Sequence, residues 1–348
     1  MALALVAPLT DVDDPPLFLQ QHSTCVREAL RRSAPVRSTR IGSMAAYHMG
    51  WADARGNACE AESGKLLRAG FTLWAANAVG GDAADALDAA VAVEWIHNFT
   101  LVHDDIQDGD RERRHRATLW TVVGEAQAIN AGDALHAVAQ RLLTGSGRHP
   151  DRRLRAARVL ADATLAVIEG QCLDLALERR PPSGIATALR LARAKTGALI
   201  GGALEAGALM GGATAPAAMR VGRAGRQLGA AFQLRDDWLG TWGDPALTGK
   251  SCEADLQRRK HTYAVAIASE VATRPQRREL WHLMRSRDPL DTLRLRALLD
   301  ELDAGARTAA ASLELAGEGL RLLEHVVVNP GRRAEARELA AYVASRRR

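Results

Sequence analysis

No proline interrupts the chain between Pro35 and Pro150, and further proline-free stretches run from Pro150 to Pro181, from Pro182 to Pro216 and from Pro216 to Pro245. Proline ends or kinks a helix, so intervals of this length bounded by proline are helix-sized. Ala, Leu and Arg dominate, and aromatics make up only 4% of the chain, which favours helix over strand. No strand alternation, GxGxxG or P-loop pattern is present. The expected fold class is all-α: a single large helical bundle around a central cavity that holds the chemistry. With 348 residues, 47% of them hydrophobic and 25% charged, the chain can bury a substantial core.

Residues 1–36 hold Pro8, Pro15, Pro16 and Pro35 and have mixed polarity. They read as a loosely ordered leader with one short helix over Thr24 to Arg32, a candidate docking segment for a larger assembly, ahead of a helical catalytic domain over 37–348. Helical spacing of apolar residues predicts helices over Glu62 to Val79, Asp82 to Asp108 with Asp82 as cap, Thr121 to Leu143, Asp151 to Leu177, Gly184 to Met210 and Pro216 to Leu239. Several shorter ones follow Lys260.

Two acidic clusters stand at the ends of such stretches: His103-Asp104-Asp105-Ile106-Gln107-Asp108 and Arg235-Asp236-Asp237-Trp238-Leu239-Gly240. An isolated DDxxD is most often a solvated helix end. Here Phe99-Thr100-Leu101-Val102 and Ala230-Ala231-Phe232-Gln233-Leu234 run directly into the carboxylates, so both clusters emerge from buried surface. Adjacent carboxylates repel unless cations neutralise them, and Asp104 and Asp108, one helical turn apart, share a face that can offer oxygens to hard ions. Basic residues follow each cluster: Arg111, Arg113, Arg114 and Arg116, then Lys250, Arg258, Arg259 and Lys260. Carboxylates for metal beside cations for oxyanions, twice over, describe a Mg2+-dependent diphosphate site.

The net charge of +5 is spread among interleaved acidic residues, and no nucleic-acid signature accompanies it, so no nucleic-acid partner is expected. Cys25, Cys59, Cys172 and Cys252 lack CxxC spacing, which fits a reducing cytoplasm rather than a disulfide framework or zinc site. The opening apolar residues lack a basic n-region, and no apolar run is long enough to span a bilayer, so neither a signal peptide nor a transmembrane segment is expected.

These residues resemble the trans-isoprenyl diphosphate synthases, the polyprenyl synthetase family, of the short-chain geranylgeranyl or farnesyl type. Residues 99–108 with Arg113-Arg114 are similar to its first Asp-rich motif. Phe232 to Asp237, with Gly243-Asp244-Pro245, Gly249-Lys250 and Asp255-Leu256, are similar to the second. Ser63 to Arg68 resembles the GGKRLRP element, Gly170 to Asp174 the GQxLD element, and Lys195-Thr196-Gly197 the KT element. Five elements in family order are far more specific than one. The resemblance implies a prenyltransferase of isoprenoid biosynthesis, a homodimer using about three Mg2+ ions per site. Asp104, Asp108 and Asp236 would be the ligands, with Asp105 and Asp237 orienting them from behind. It implies that Arg113, Lys195 and Lys260 clamp an allylic diphosphate, with Asp174, Thr196, Gln233 and Lys250 close by, and that Lys65, Arg68, His97 and Arg114 hold isopentenyl diphosphate. Phe99 and Thr100, one turn before Asp104, would form the floor that limits product length, favouring geranylgeranyl over farnesyl diphosphate.

The chain departs from the family pattern at several positions. Ser63, Leu66 and Ala69 stand where Gly, Arg and Pro are customary, Gly240 replaces the last Asp of the second motif, and His115 and Ala117 depart from RRGxPT. Two other readings compete: a non-catalytic partner subunit, and a class I terpene cyclase, whose Asn-Asp-x-x-Ser-x-x-x-Glu motif is not found.

Overall fold

The computed structural model describes residues 14–61, 64–178, 180–244, 247, 254–286 and 288–347. The described residues pack as two compact units: Leu17–Ala161 with Ala203–Ala218, and Asp162–Gly202 with those from Met219 on, the latter including residues 14–16. The expected all-α class holds. Among the described residues the only strands are the two-residue β1 (Glu112–Arg113) and β2 (Arg116–Ala117), paired antiparallel. No helix among them is long and apolar enough to cross a membrane.

The first unit contains α1 (Leu17–Gln20), α2 (Ser23–Ser33), α3 (Arg40–His48), α4 (Leu67–Ala78), α5 (Leu87–Gln107), α6 (Leu119–Val123), α7 (Glu125–Thr144) and the start of α8 (Pro150–Leu177). Helix α5 is its axis. Ala89 to Val93, Trp95, Ile96, Phe99 and Val102 are buried on nearly every side of it, against α2, α4 and α7. Asp82 caps as expected, accepting from the Ala84 amide at 2.9 Å, although the first turn it caps is a 3-10 turn at Ala83–Ala86. The helix expected over Thr121 to Leu143 is two helices. Gly124, at φ 84°, breaks it where an L-residue would be strained.

The helix expected over Thr24 to Arg32 is present as α2, but residues 17–33 are packed rather than loosely ordered. Val26 and Leu30, one turn apart on α2, are each 1% exposed, and Leu19 is buried. The Phe18 ring lies 6.2 Å from that of Trp74, and the Trp95 indole donates to the Ser33 hydroxyl at 2.9 Å. Pro15, Pro16 and Pro35 flank these helices instead of preventing them. The part of the leader before Asp14 lies outside the described residues.

The second unit holds the end of α8, then α9 (Ile185–Ala192), a π turn at Arg193–Gly197 continuing into the start of α10 (Ala198–Met210), whose remainder belongs to the first unit, then α11 (Ala215–Trp242) from Met219 on, α12 (Ala254–Gln257) and α13 (Tyr263–Val271). Helices α14 (Arg274–Arg285), α15 (Pro289–Glu301), α16 (Ala304–Glu324) and α17 (Pro330–Ser345) complete it. Its core is built on α11, where Ala224, Leu228, Ala230, Ala231 and Leu234 are buried, and on α13 packed against α16. The π turn carries Lys195 and Thr196. Such turns insert one extra residue per helical turn and re-aim the side chains they bear.

Candidate active site

In the first unit, α5 keeps its helical phase through the first acidic cluster, since the Asp108 amide donates to the Asp104 carbonyl at 2.8 Å. Asp104 and Asp108 therefore share one face. Asp104 is partly buried and Asp108 exposed. Asp105 points elsewhere: it is 2% exposed, and Arg113 grips its Oδ1 with Nε and Nη2, each at 2.7 Å. Burial pushes the Asp105 carboxyl up and Arg113 pulls it back. The loop after α5 is pinned at Asp110, whose carbonyl accepts from the Thr118 hydroxyl and the Trp120 indole, both at 2.7 Å.

That loop delivers the hairpin of β1 and β2. Its two central residues, Arg114 and His115, have φ of 52° and 57°, as a tight two-residue turn requires of both. Glycine is customary at 115, so His115 holds this turn under strain. The turn lays the Arg114 guanidinium against Gly64, where a Cβ would come within 2.7 Å of Nη2. Lys65 is exposed and Arg68 partly buried on the first turn of α4. Leu66, where Arg is customary, has φ 52° and a buried side chain. Of the helix expected from Glu62, Glu62 itself lies outside the described residues, Gly64 to Leu66 are loop, and the helix begins at Leu67. Ser63 lies outside the described residues.

His97 comes to the same cationic cluster. Burial, reinforced by Arg68, Arg114 and Arg113, drives its pKa well below 6.5 and keeps it neutral. Phe99, 8% exposed, packs its ring edge-on to His103 (4.9 Å) and against His136 of α7 (5.2 Å). Thr100 returns its hydroxyl to the His97 carbonyl at 2.8 Å.

In the second unit the π turn brings Lys195 Nζ to within 2.5 Å of Asp174 Oδ2. The Thr196 hydroxyl bonds Gln233 Oε1 at 2.5 Å. Gln233 Nε2 in turn donates to Asp237 Oδ1 at 2.9 Å, and Asp237 Oδ2 accepts from the Tyr263 amide at 3.1 Å. Asp237 is therefore held by protein donors on both oxygens, while Asp236 presents its carboxylate to the guanidinium of Arg346. Lys260 is exposed. Lys250 lies outside the described residues.

Hard carboxylate oxygens on successive turns, with Asp105 withdrawn into a separate pairing, fit Mg2+, which takes one or two carboxylates and completes its shell with water and phosphate oxygens. Among the described residues no three His, Cys, Asp or Glu side chains gather into a cage.

Sequence reasoning missed several participants. Arg346 is 4% exposed, with its guanidinium 3.8 Å above the Phe232 ring and one nitrogen 3.4 Å from the Phe232 carbonyl, while its own carbonyl accepts from Arg235 at 2.7 Å. Glu94, 4% exposed on α5, accepts from the Ala69 amide at 2.9 Å. His48 bonds Asn98 Oδ1 at 3.0 Å. His261, 9% exposed with Nδ1 lacking a protein partner, is held below its usual pKa by burial against the opposing pull of Asp174. Only Glu94 left a signal, as an acid within the apolar run Ala89 to Ile96.

A sequence model of the polyprenyl synthetase family matches residues 54–302. The chain is 45% identical over 239 residues to a geranylgeranyl diphosphate synthase of Mycobacterium tuberculosis, covering 67% of each. It is 35% identical over 329 residues to a (2E,6E)-farnesyl diphosphate synthase of the same organism, covering 92% of this chain and 90% of the other. Among solved structures it is similar to a polyprenyl synthetase from Streptomyces coelicolor A3(2), with a TM-score of 0.89 at 34% identity, covering 95% of this chain and 100% of that one. It also resembles a geranylgeranyl pyrophosphate synthetase from Pyrococcus horikoshii Ot3, with a TM-score of 0.85 at 26% identity over 95% and 98%.

Proposed function

The chain belongs to the polyprenyl synthetase family, and from that premise we propose that it condenses isopentenyl diphosphate with an allylic diphosphate to give geranylgeranyl diphosphate. The observation that carries the reading is the division of labour in the first acidic cluster: Asp104 and Asp108 stay in phase on one face while Arg113 takes Asp105 away. Mg2+, when bound at Asp104 and Asp108 and at Asp236, would neutralise charge on the departing diphosphate.

The chain's own residues supply the rest. Arg113, Lys195 and Lys260 draw the allylic diphosphate into place, with Asp174 and the Thr196 to Gln233 to Asp237 chain holding Lys195 and its neighbours in position. Lys65, Arg68 and Arg114 hold isopentenyl diphosphate, and neutral His97 adds a hydrogen bond without adding charge. Apolar walls keep water from the allylic cation, so the double bond of isopentenyl diphosphate attacks it first, and loss of a proton restores an alkene five carbons longer. Phe99, backed by His136, closes the path of the growing tail. The active form is a cytoplasmic homodimer.

Purified chain incubated with Mg2+, isopentenyl diphosphate and each of dimethylallyl, geranyl and farnesyl diphosphate, followed by chromatography of the dephosphorylated products, tests the proposal. A twenty-carbon alcohol is expected. Arrest at fifteen carbons would establish the farnesyl reading, which the match covering nine-tenths of the farnesyl synthase favours. Absence of any elongated product would refute both and leave a non-catalytic partner, while a cyclic hydrocarbon would point to a cyclase.

A further inference from the structure

Helix α4 begins without a cap of its own. Leu66, immediately before it, sits in the left-handed region and has no side-chain acceptor to offer the first turn. The amides of a first helical turn need partners from elsewhere, and here they find one on α5. Glu94 Oε1 accepts from the Ala69 amide at 2.9 Å. Burial pushes the Glu94 carboxyl up, while the Ala69 amide and the Arg68 and Arg114 guanidinia pull it back. A buried anion at a helix N-terminus is stabilised by the amides it faces.

We propose that Glu94 is a positioning residue of the basic loop. By fixing the first turn of α4 it sets where Arg68 stands relative to Arg114, and so sets the affinity for isopentenyl diphosphate without touching it. This rests on the reading that Arg68 and Arg114 hold that substrate. Three further observations support it. Glu94 lies on the same helix as Asp104, so the basic loop is tied to the rod that carries the acidic cluster. One turn on, Asn98 ties the next element in the same way: its Nδ2 donates to the Glu94 carbonyl at 2.8 Å and its Oδ1 meets His48 of α3 at 3.0 Å. Finally, the donor depends on the residue at position 69. Ala69 has an amide hydrogen where the customary proline has none, so the bond to Glu94 fastens a turn that proline would stiffen through its ring.

Three variants test the idea. Glu94→Ala removes the acceptor, Glu94→Gln keeps an acceptor oxygen without the charge, and Ala69→Pro removes the donor while stiffening the turn through its ring. Glu94→Ala should raise KM for isopentenyl diphosphate by roughly 10-fold or more, as expected for a lost buried bond to a charged group, with KM for farnesyl diphosphate and kcat within about 3-fold of wild type. Glu94→Gln should recover part of the loss. Calorimetric titration with isopentenyl diphosphate should report the same change in affinity without turnover. Ala69→Pro combined with Glu94→Ala should be no worse than Glu94→Ala alone, because both break one linkage. Equal rises in both KM values, additive effects in the double variant, or a lower Tm with unchanged KM would each overturn the proposal and leave Glu94 a structural cap. If Glu94→Ala does not fold, Glu94→Gln decides the matter through the same two KM values. A wild-type chain that neither binds nor consumes isopentenyl diphosphate would overturn the functional reading, and this inference with it.

Discussion

Acidification should destabilise this protein through His48 well before its carboxylates protonate. The imidazole is half-buried beside Asn98, its loss of solvation and the nearby Arg114, Arg113 and Arg116 oppose a positive charge, and its pKa is lowered from 6.5 to about 3. The folded state therefore binds fewer protons than the unfolded chain between those values. Stability falls as pH drops through the unfolded pKa, and it keeps falling until the folded pKa is reached. Each unit of pH within that window is worth about 1.4 kcal/mol, so His48 alone should remove about 2 kcal/mol between pH 7 and pH 5. The figure is insensitive to the folded value, because pH 5 stands well above 3. His97, lowered for the same reasons, adds in the same direction. Urea denaturation of wild type and His48→Gln at pH 7 and pH 5 measures the difference, since glutamine can retain the bond to Asn98 but cannot take up the proton. The variant should lose about 2 kcal/mol less than wild type over that interval. Identical losses in the two proteins, at equal m-values, would refute the reasoning.

Asp104→Ala or Asp236→Ala should lower kcat by roughly 100-fold or more while Tm stays within a few degrees, read by steady-state kinetics and thermal melts; near-normal turnover would remove either residue from the metal site. Arg346→Ala should destabilise by about 1–3 kcal/mol, because it strips a buried guanidinium from Asp236 and the Phe232 carbonyl. Arg346→Lys should rescue it poorly, since a point charge cannot reproduce the fork; a Tm equal to wild type in Arg346→Lys would contradict this. His115→Gly should raise stability by roughly 1 kcal/mol by relieving the positive φ of the hairpin turn, and a urea titration that finds no gain would contradict this. Phe99→Ala should shift products to longer chains and Thr100→Phe to shorter ones; unchanged distributions by chromatography would place the floor elsewhere.

Helices were legible in the sequence where their evidence is local. Apolar periodicity and proline spacing located α5, α8 and α11 to within a few residues, and Asp82 was recognisable as a cap because a side chain two residues from its amide partner acts within one turn. The readings failed where the backbone was decided by one residue's φ or by distant packing. Nothing in the apolar spacing of Thr121 to Leu143 announces that Gly124 will adopt φ 84°. Glu62 to Leu66 continues a helical pattern, yet Gly64 and Leu66 both take positive φ to lay the loop against Arg114. The prolines near the start suggested looseness, whereas Val26 and Leu30 are held by α5, whose surface those residues do not reveal by themselves.

The same distinction separates the acidic clusters. Asp105 finds Arg113 eight residues on, within reach of the loop that ends its own helix, so the pairing follows from local geometry once the hairpin forms. Asp236 finds Arg346 across 110 residues of chain, and only the packing of α17 beside α11 could reveal that partner. The chemical consequence is unequal. As proposed, a cation would meet Asp104 and Asp108 with Arg113 already paired to Asp105, whereas at Asp236 it would meet a carboxylate that already carries a guanidinium. On the proposed reading, an ion at Asp236 must either displace Arg346 from that oxygen or use the other one, and either course weakens its hold compared with an ion at the first cluster. Arg346 is also anchored by the Phe232 ring and carbonyl and by the bond from Arg235 to its own carbonyl, so its position does not depend on Asp236 alone. On the same reading, the Asp236 carboxylate would turn toward a metal while the guanidinium stayed beside it, a second positive charge for a diphosphate held there.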